Sequence, residues 1–327
     1  MDTRANDVWT IGRFYGVNGK DLLRQYRDFQ SGFKNWIQRR HAKKWLLYSE
    51  NLGPYLSIDE TSLSRGELYT ILTNKAAKGG PGSIVAIVAD TKAETVIEVL
   101  RKIPESQRKK VSEITLDMAG SMSMIAKRCF PWATRVTDRF HVQRLAVEAL
   151  QEIRIKHRWE ALDQENDAIE HTKASQVEYQ PEILSNGDTV KQLLARSRYA
   201  LYKKANTWTN YQKERAQLLF ERFPDLKKAY DLAQELSNIF TNTTEKIYGL
   251  TRLAKWYEKV RQSGFKSFNT VARSIENHYK TIVNYFDNRS TNASAESFNA
   301  KIKAFRSQFR GVRNIEFFLY RLTQLYA

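Results

Sequence analysis

The sequence predicts an α/β chain: a mixed five-stranded sheet with flanking helices, interrupted by a large all-α insertion and preceded by a helical segment. Two patterns carry this reading. Between residues 55 and 137, short β-rich runs bounded by turn signals give way, from the third run onward, to strands alternating with helical apolar spacing. Between about 151 and 290 no convincing strand occurs, glycines are few (Gly187, Gly249, Gly264) and helical spacing repeats. The expected divisions are 1–50, a helical arm or partial helix-turn-helix; 51–155, the first part of the sheet domain; 156–288, the insertion; and 289–327, a C-terminal helical part returning to that domain.

Composition narrows the partner class. The 327 residues hold 53 Lys plus Arg against 36 Asp plus Glu, a formal charge of +17, which calls for an anionic partner. With 42% hydrophobic residues, 7 Trp, 16 Tyr and 16 Phe, the chain can build a core, which excludes a disordered basic tail. The single cysteine, Cys129, permits no intramolecular disulfide and no cysteine zinc cluster, and points to a reducing compartment. No signal-peptide core and no run of 18 apolar residues occurs, so a soluble, cytoplasmic protein without a membrane span is expected. The basic residues are spread through structured segments, which suits nucleic acid better than a membrane surface.

The elements follow in order. Val8, Ile11, Phe14 and Tyr15 form one periodic face, Gly16-Val17-Asn18-Gly19 a turn, and Leu22, Leu23, Tyr26 and Phe29 a second face. The pair is either part of a helix-turn-helix flanked by Arg24, Arg27, Lys34, Arg39, Arg40, Lys43 and Lys44, or a docking arm of two amphipathic helices. Tyr55 to Ile58, Leu68 to Thr73 and Ser83 to Ala89 read as strands, turned at Gly66 and at Gly79-Gly80-Pro81-Gly82. Thr91 and Glu94 read as a capping box opening a helix with Ala93, Val96, Ile97, Leu100 and Ile103 on one face, stopped by Pro104. Val111 to Leu116 is a fourth strand, followed by Asp117 and a helix from Gly120 to Pro131; Thr134 to Thr137 is a fifth, leading through Asp138 into a helix with Leu145, Ala149, Leu150 and Ile153. Crossover units after antiparallel strands imply one mixed sheet covered by helices. In the insertion, residues 191–228 carry ten Lys or Arg, Lys203 and Lys204 among them, against three acids, interleaved with Tyr199, Tyr202, Trp208 and Tyr211. This is either a phosphate-tracking surface with stacking platforms or a solvated face over core aromatics.

Two aspartates follow apolar strands, Asp59 and Asp117, at the carboxyl ends where open α/β sheets place their chemistry; each alone also reads as a turn or cap residue. A third element joins them. On a helix through 294–310, at about 100° per residue, Glu296, Asn299, Lys303, Arg306 and Arg310 share a stripe of roughly 80°, opposite Phe298, Ile302, Phe305 and Phe309. One carboxylate aligned with an amide and three cations fits a polyanion approached through a metal ion. Three carboxylates can hold two hard divalent cations about 4 Å apart, the arrangement suited to phosphoryl transfer, and Mg²⁺ fits the oxygen ligands. Glu60 points to the opposite strand face from Asp59 and is left out of the ligand set.

The ordered set Ser57-Ile58-Asp59-Glu60-Thr61, Thr115-Leu116-Asp117-Met118, Asp138-Arg139-Phe140-His141 and Ala295-Glu296-Ser297-Phe298-Asn299, with Ile302-Lys303 and Arg306, resembles bacterial insertion-sequence transposases of the DDE type, closest to the ISL-three branch. The likeness covers about 55–327. It implies a ribonuclease-H-like core in two sequence pieces, 51–155 and 289–327, with Asp59, Asp117 and Glu296 as the catalytic and metal-binding triad for two Mg²⁺ ions, replaceable by Mn²⁺. It further implies cleavage of double-stranded DNA at element ends, transfer of the 3′-OH into target DNA, and a second copy of the chain to process two ends. Asp138 and His141 would be the Asp-x-x-His pair that braces the core or touches DNA; a helix position four before Leu145 favours a structural histidine over a ligand. Asn299, Lys303, Arg306, Arg310, Lys203, Lys204, Arg39 and Arg40 would contact DNA, in a protein associated with the nucleoid. Relatives commonly carry an N-terminal zinc-binding segment, which one cysteine cannot build, so the resemblance implies either a separate end-recognition polypeptide as a partner or the catalytic half of an element whose reading frame is split or truncated. The competing readings are a ribonuclease-H-like nuclease or resolvase without strand transfer, and a non-catalytic DNA-binding protein derived from a transposase.

Overall fold

The computed structural model describes residues 7–64, 67–174, 178–308 and 314–327. The chain forms two compact units, Met1–Asp138 with Arg289–Ala327, and Arg139–Asn288. Gly66, Phe309 and Arg310, all singled out by the sequence, lie outside the described residues.

The first unit is built on six strands, not five: β1 Trp45–Leu47, β2 Tyr55–Ser64, β3 Glu67–Asn74, β4 Ile84–Val88, β5 Glu113–Leu116 and β6 Thr134–Thr137. Their order is β1-β4-β3-β2-β5-β6. The first four positions pair antiparallel, and β5 and β6 join β2 in parallel. The additional strand corrects the helical reading of residues 1–50, because Trp45, Leu46 and Leu47 pair with Val88, Ile87 and Ala86. Three residues are too few to display a period of two, and the surrounding cations mask them. Helices Val8–Phe14 and Gly19–Gln25 precede it, capped by the Asp7 and Asn18 side chains. Between them and β1 the backbone makes single helical turns at Tyr26–Gln30, Phe33–Asn35 and Ile37–Arg40. Val8 and Tyr26 are buried, whereas Phe14, Tyr15 and Phe29 of the expected apolar faces are exposed.

Both sheet faces are covered, which is why β4 reads Ile-Val-Ala-Ile-Val with every residue buried. On one side Leu56, Ile58, Leu72, Ile114 and Leu116 pack with Val96, Ile97 and Leu100 of helix Ala93–Leu100, and with Met122, Ile125 and Ala126 of helix Gly120–Cys129. On the other, Leu63, Ile71, Ile84 and Ile87 pack with Phe298, Ile302 and Phe305 of helix Ala293–Gln308, and with Phe318, Leu319 and Leu322 of helix Ile315–Tyr326. Each such large side chain contributes about 1.5–3 kcal/mol on full burial. The last 39 residues are thus part of the same unit as the strands.

The capping box expected from Thr91 and Glu94 is not formed. The N-cap position is Lys92, and no side chain caps it. Asp90 instead forms a turn just ahead of the helix, with Oδ1 accepting from the Thr91 and Lys92 N–H groups at 2.7 and 3.0 Å and Oδ2 from the Thr95 hydroxyl at 2.9 Å.

Among its described residues the second unit contains helices and connecting segments but no strand. It opens with the long helix Arg139–Ala174 and continues through Val190–Arg196, Asn210–Arg222, Pro224–Asn242, Lys246–Ser263 and Lys266–Asn277, with shorter turns between. Thr189 with Gln192 and Thr209 with Gln212 form reciprocal capping boxes. Trp256 is fully buried and its indole N–H donates to the Leu232 carbonyl at 2.9 Å. Among the described residues no helix is long and apolar enough to cross a membrane.

Candidate active site

The strand register places three aspartates in a row. Ser57 of β2 is paired with Thr115 of β5, and two residues further along each strand, on the same face, stand Asp59 and Asp117. The β5–β6 ladder reaches Leu116 opposite Thr137, so the next residues are Asp117 and Asp138; the Asp138 N–H donates to the Leu116 carbonyl at 2.9 Å. Asp59 does not end its strand, as the sequence suggested, but lies within β2, which continues to Ser64 paired with β3. The partner β5 is what stops. The β2–β5 ladder ends at Ser57 opposite Thr115, so from Ile58 onward β2 pairs with β3 alone among the described strands, the kind of position where open α/β sheets place their chemistry.

Each carboxylate is oriented by local hydrogen bonds. Asp59 accepts from the Glu60 N–H through Oδ1 at 2.8 Å and from the Asn299 amide through Oδ2 at 2.7 Å. Asp117 Oδ1 accepts from the Ala119 N–H at 2.8 Å, a turn that leads into helix Gly120–Cys129. Asp138 is fully buried. Its carboxylate and that of Glu296 offer oxygens within 4.8 Å of one another. Glu296 stands in the first turn of helix Ala293–Gln308, whose Phe298, Ile302 and Phe305 hold it on the sheet. The buried Asn292 precedes that helix, with its amide 3.5 Å from the Ile58 carbonyl next to Asp59 and its own carbonyl accepting from the Glu296 N–H at 2.9 Å.

The electrostatics are those of a crowded acidic site. Burial pushes the Glu60 carboxyl up, and the Asp117 and Asp59 charges push it further. Below the aspartate row, the Lys75 ammonium donates to Thr115 Oγ1 at 2.8 Å and lies 3.4 Å from Glu113 Oε1. Burial pushes Lys75 down, against the opposing pull of Glu113 and Asp138.

The expected site residues are not all in one place. Asp59, Asp117, Asp138, Glu296 and Asn299 belong to the first unit and are placed by the strand and helix positions above. Lys303 is exposed on the same helix as Glu296. Arg306 lies against β2, its guanidinium 3.4 and 3.5 Å from the Ser62 and Leu63 carbonyls. Arg39 and Arg40 are exposed before β1; Arg39 stacks over Phe33 and lies 3.9 Å from Glu316. His141, Lys203 and Lys204 belong to the second unit, His141 in the first turn of helix Arg139–Ala174. The sequence reading missed Asn292 and the Lys75, Glu113 and Thr115 cluster. An asparagine four residues before Glu296, where a helix N-cap belongs, was the available signal for the first. Nothing local marks the second, since Lys75 follows β3 while Glu113 and Thr115 lie on β5, far along the chain.

The donor set is made of carboxylate oxygens, which suits a hard divalent cation such as Mg²⁺. The amide of Asn299 presents N–H to Asp59 and brings no charge of its own. The residues present therefore fit a divalent metal.

No curated protein matches the chain. A family model described as transposase, of the DDE type and the ISL-three branch, matches residues 56–322, a span that begins in β2 and ends in the last helix. The chain belongs to the ISL-three family of DDE transposases.

Proposed function

We propose that this transposase cuts DNA at the ends of its element and transfers the freed 3′-OH into target DNA at one Mg²⁺-dependent site. Asp59, Asp117 and Glu296 hold the metal, with Asp138 behind Glu296. When bound, two divalent cations polarise the phosphoryl oxygen and stabilise the attacking and leaving oxygens. In the first step a water oxygen bonds to phosphorus, the P–O3′ bond breaks, and the departing 3′ oxygen takes a proton. In the second that 3′-OH attacks a target phosphate, forming a new P–O bond and releasing a target 3′-OH. Double-stranded DNA and a second copy of the chain are the partners this chemistry requires. Lys303 neutralises phosphate charge from the exposed side of the site helix, and Arg306 does so from its anchorage on β2.

The observation that carries this reading is the alignment of Asp59 with Asp117 across β2 and β5, with Glu296 delivered to the same unit from far along the chain. The test is cleavage and joining of a labelled duplex bearing an element end, comparing the parent with Glu296→Gln. The expected result is Mg²⁺-dependent joined product in the parent and at least about a 10³-fold loss in the variant, the scale of removing one group that stabilises transition-state charge. Joining that survives in Glu296→Gln removes Glu296 from the site; cleavage without joining by the parent, on a precut end, favours a nuclease.

A further inference from the structure

We infer that Asn299 is a positioning residue for Asp59, holding its carboxylate for a divalent cation without neutralising it, and is not a DNA contact. The inference rests on the metal reading of the site given above. The Asn299 amide donates to Asp59 Oδ2 at 2.7 Å while the Glu60 N–H donates to Oδ1 at 2.8 Å. Both oxygens are thus fixed by separate donors, and the plane and rotation of the carboxylate are set. A carboxylate oxygen that accepts one hydrogen bond has a further lone pair suited to a cation.

Asn299 stands three residues after Glu296 on helix Ala293–Gln308, so the two project from the same helix face. The apolar residues Phe298, Ile302 and Phe305 hold that helix against the sheet. Greasy packing sets the spacing of two elements more tightly than it sets sliding or rotation between them. A short directional bond from Asn299 to β2 supplies what packing lacks, linking the carrier of Glu296 to the carrier of Asp59. The amide is half-buried, and one of its two N–H hydrogens is committed to the Asp59 carboxylate, so its position is set by β2 and not by an approaching phosphate.

The neutrality of the donor is the specific feature. A lysine here would make the same hydrogen bond, yet its charge would compete with any cation bound to Asp59. An asparagine orients the ligand and leaves the full negative charge for the metal, the outer-shell role that tunes metal affinity.

The experiment uses the full chain and Mn²⁺ as the probe, with free Mn²⁺ followed by electron paramagnetic resonance during titration. Metal-free binding of an element-end duplex and the unfolding temperature are measured alongside for the parent, Asn299→Ala, Asn299→Lys and Asp59→Asn. Asn299→Ala is expected to weaken Mn²⁺ binding by about tenfold, the low end for loss of an outer-shell partner, with metal-free DNA affinity unchanged. Asn299→Lys, which brings a cation next to Asp59, is expected to weaken Mn²⁺ binding at least as much, with the unfolding temperature near that of the parent. Mn²⁺ affinity within twofold of the parent in either variant overturns the proposal, as does a loss of metal-free DNA binding in Asn299→Ala. Parent protein that binds no Mn²⁺, or binds it equally well with Asp59→Asn, overturns the metal reading itself and the proposal with it.

Discussion

The Lys75 ammonium donates to the Thr115 hydroxyl at 2.8 Å, two residues before Asp117 on the same strand face, and reaches Glu113 at 3.4 Å. Glu113 is 2% exposed and Lys75 16% by side chain, so this ion pair lies inside the first unit. It ties β5 to the turn that follows β3, on the strand face opposite the buried Ile114 and Leu116.

Removing one member of a buried pair leaves the other charge exposed to a poor solvent. Lys75→Met should destabilise the protein by roughly 3 kcal/mol, the low end for a buried pair because Lys75 keeps some contact with water. Converting both members to apolar residues, Lys75→Met with Glu113→Leu, should recover most of that loss. Urea unfolding followed by circular dichroism measures both. A single variant as stable as the parent would show that the pair contributes nothing to the fold.

The two basic residues of the site helix should behave differently. Lys303 is exposed, so Lys303→Ala should leave stability unchanged while lowering the salt dependence of DNA binding by about one unit in slope. Arg306 lies against the Ser62 and Leu63 carbonyls, and Arg306→Ala should also lower stability by about 1 kcal/mol. Binding isotherms at several salt concentrations, paired with unfolding curves, separate the two. Equal behaviour of the variants in both assays would contradict this division.

Asp117→Asn keeps the shape of its side chain and the Ala119 hydrogen bond while removing a charge. Its expected effect is loss of metal-dependent cleavage by about 10³-fold or more, with element-end affinity in the absence of metal within about threefold of the parent. Losing binding and cleavage in equal measure would mean that Asp117 serves the DNA interface and not the chemistry.

Much of this site was legible because each catalytic candidate carries a local signature. Asp59 and Asp117 follow runs whose β-branched and apolar residues announce strands, and Glu296 heads a helix whose phenylalanines declare its buried side. The pairing of distant segments was not legible. That Asn299 reaches Asp59 depends on how helix Ala293–Gln308 rotates over β2, which no residue count along the chain reports. The same limit hid β1, whose three residues acquire meaning only beside β4. Asp59 looks like a strand end because the apolar run stops at Ile58, whereas the hairpin with β3 carries the strand onward, with Glu60 and Thr61 opposite Thr70 and Tyr69. At Thr91 the expected capping box does not form because the helix begins two residues later, at Ala93, and Asp90 turns the chain ahead of it.

The second unit offers a test independent of DNA. Burial pushes the Tyr257 phenol up to about 12, and its hydroxyl is buried with no hydrogen-bond partner among the described residues. Tyr257→Phe therefore removes an unsatisfied polar atom and should stabilise the protein by about 1 kcal/mol near neutral pH. Burial raises Tyr69 and Tyr230 to about 12 as well. Between pH 10 and 12 these phenols stay protonated in the folded chain and ionise in the unfolded one. The folded state then binds more protons, and stability falls as pH rises through that window. Lys75 acts with the opposite sign: its lowered value means the unfolded chain binds the extra proton, so its contribution rises with pH until the ordinary lysine value near 10.4. Above that its contribution no longer changes. From pH 10.5 to 12 the stability of Tyr257→Phe should decline less steeply than that of the parent, by at most about 1.4 kcal/mol per pH unit. Phenolate absorbance near 295 nm and urea unfolding at each pH report it; parallel slopes for parent and variant would mean that Tyr257 ionises as readily in the folded chain as in the unfolded one.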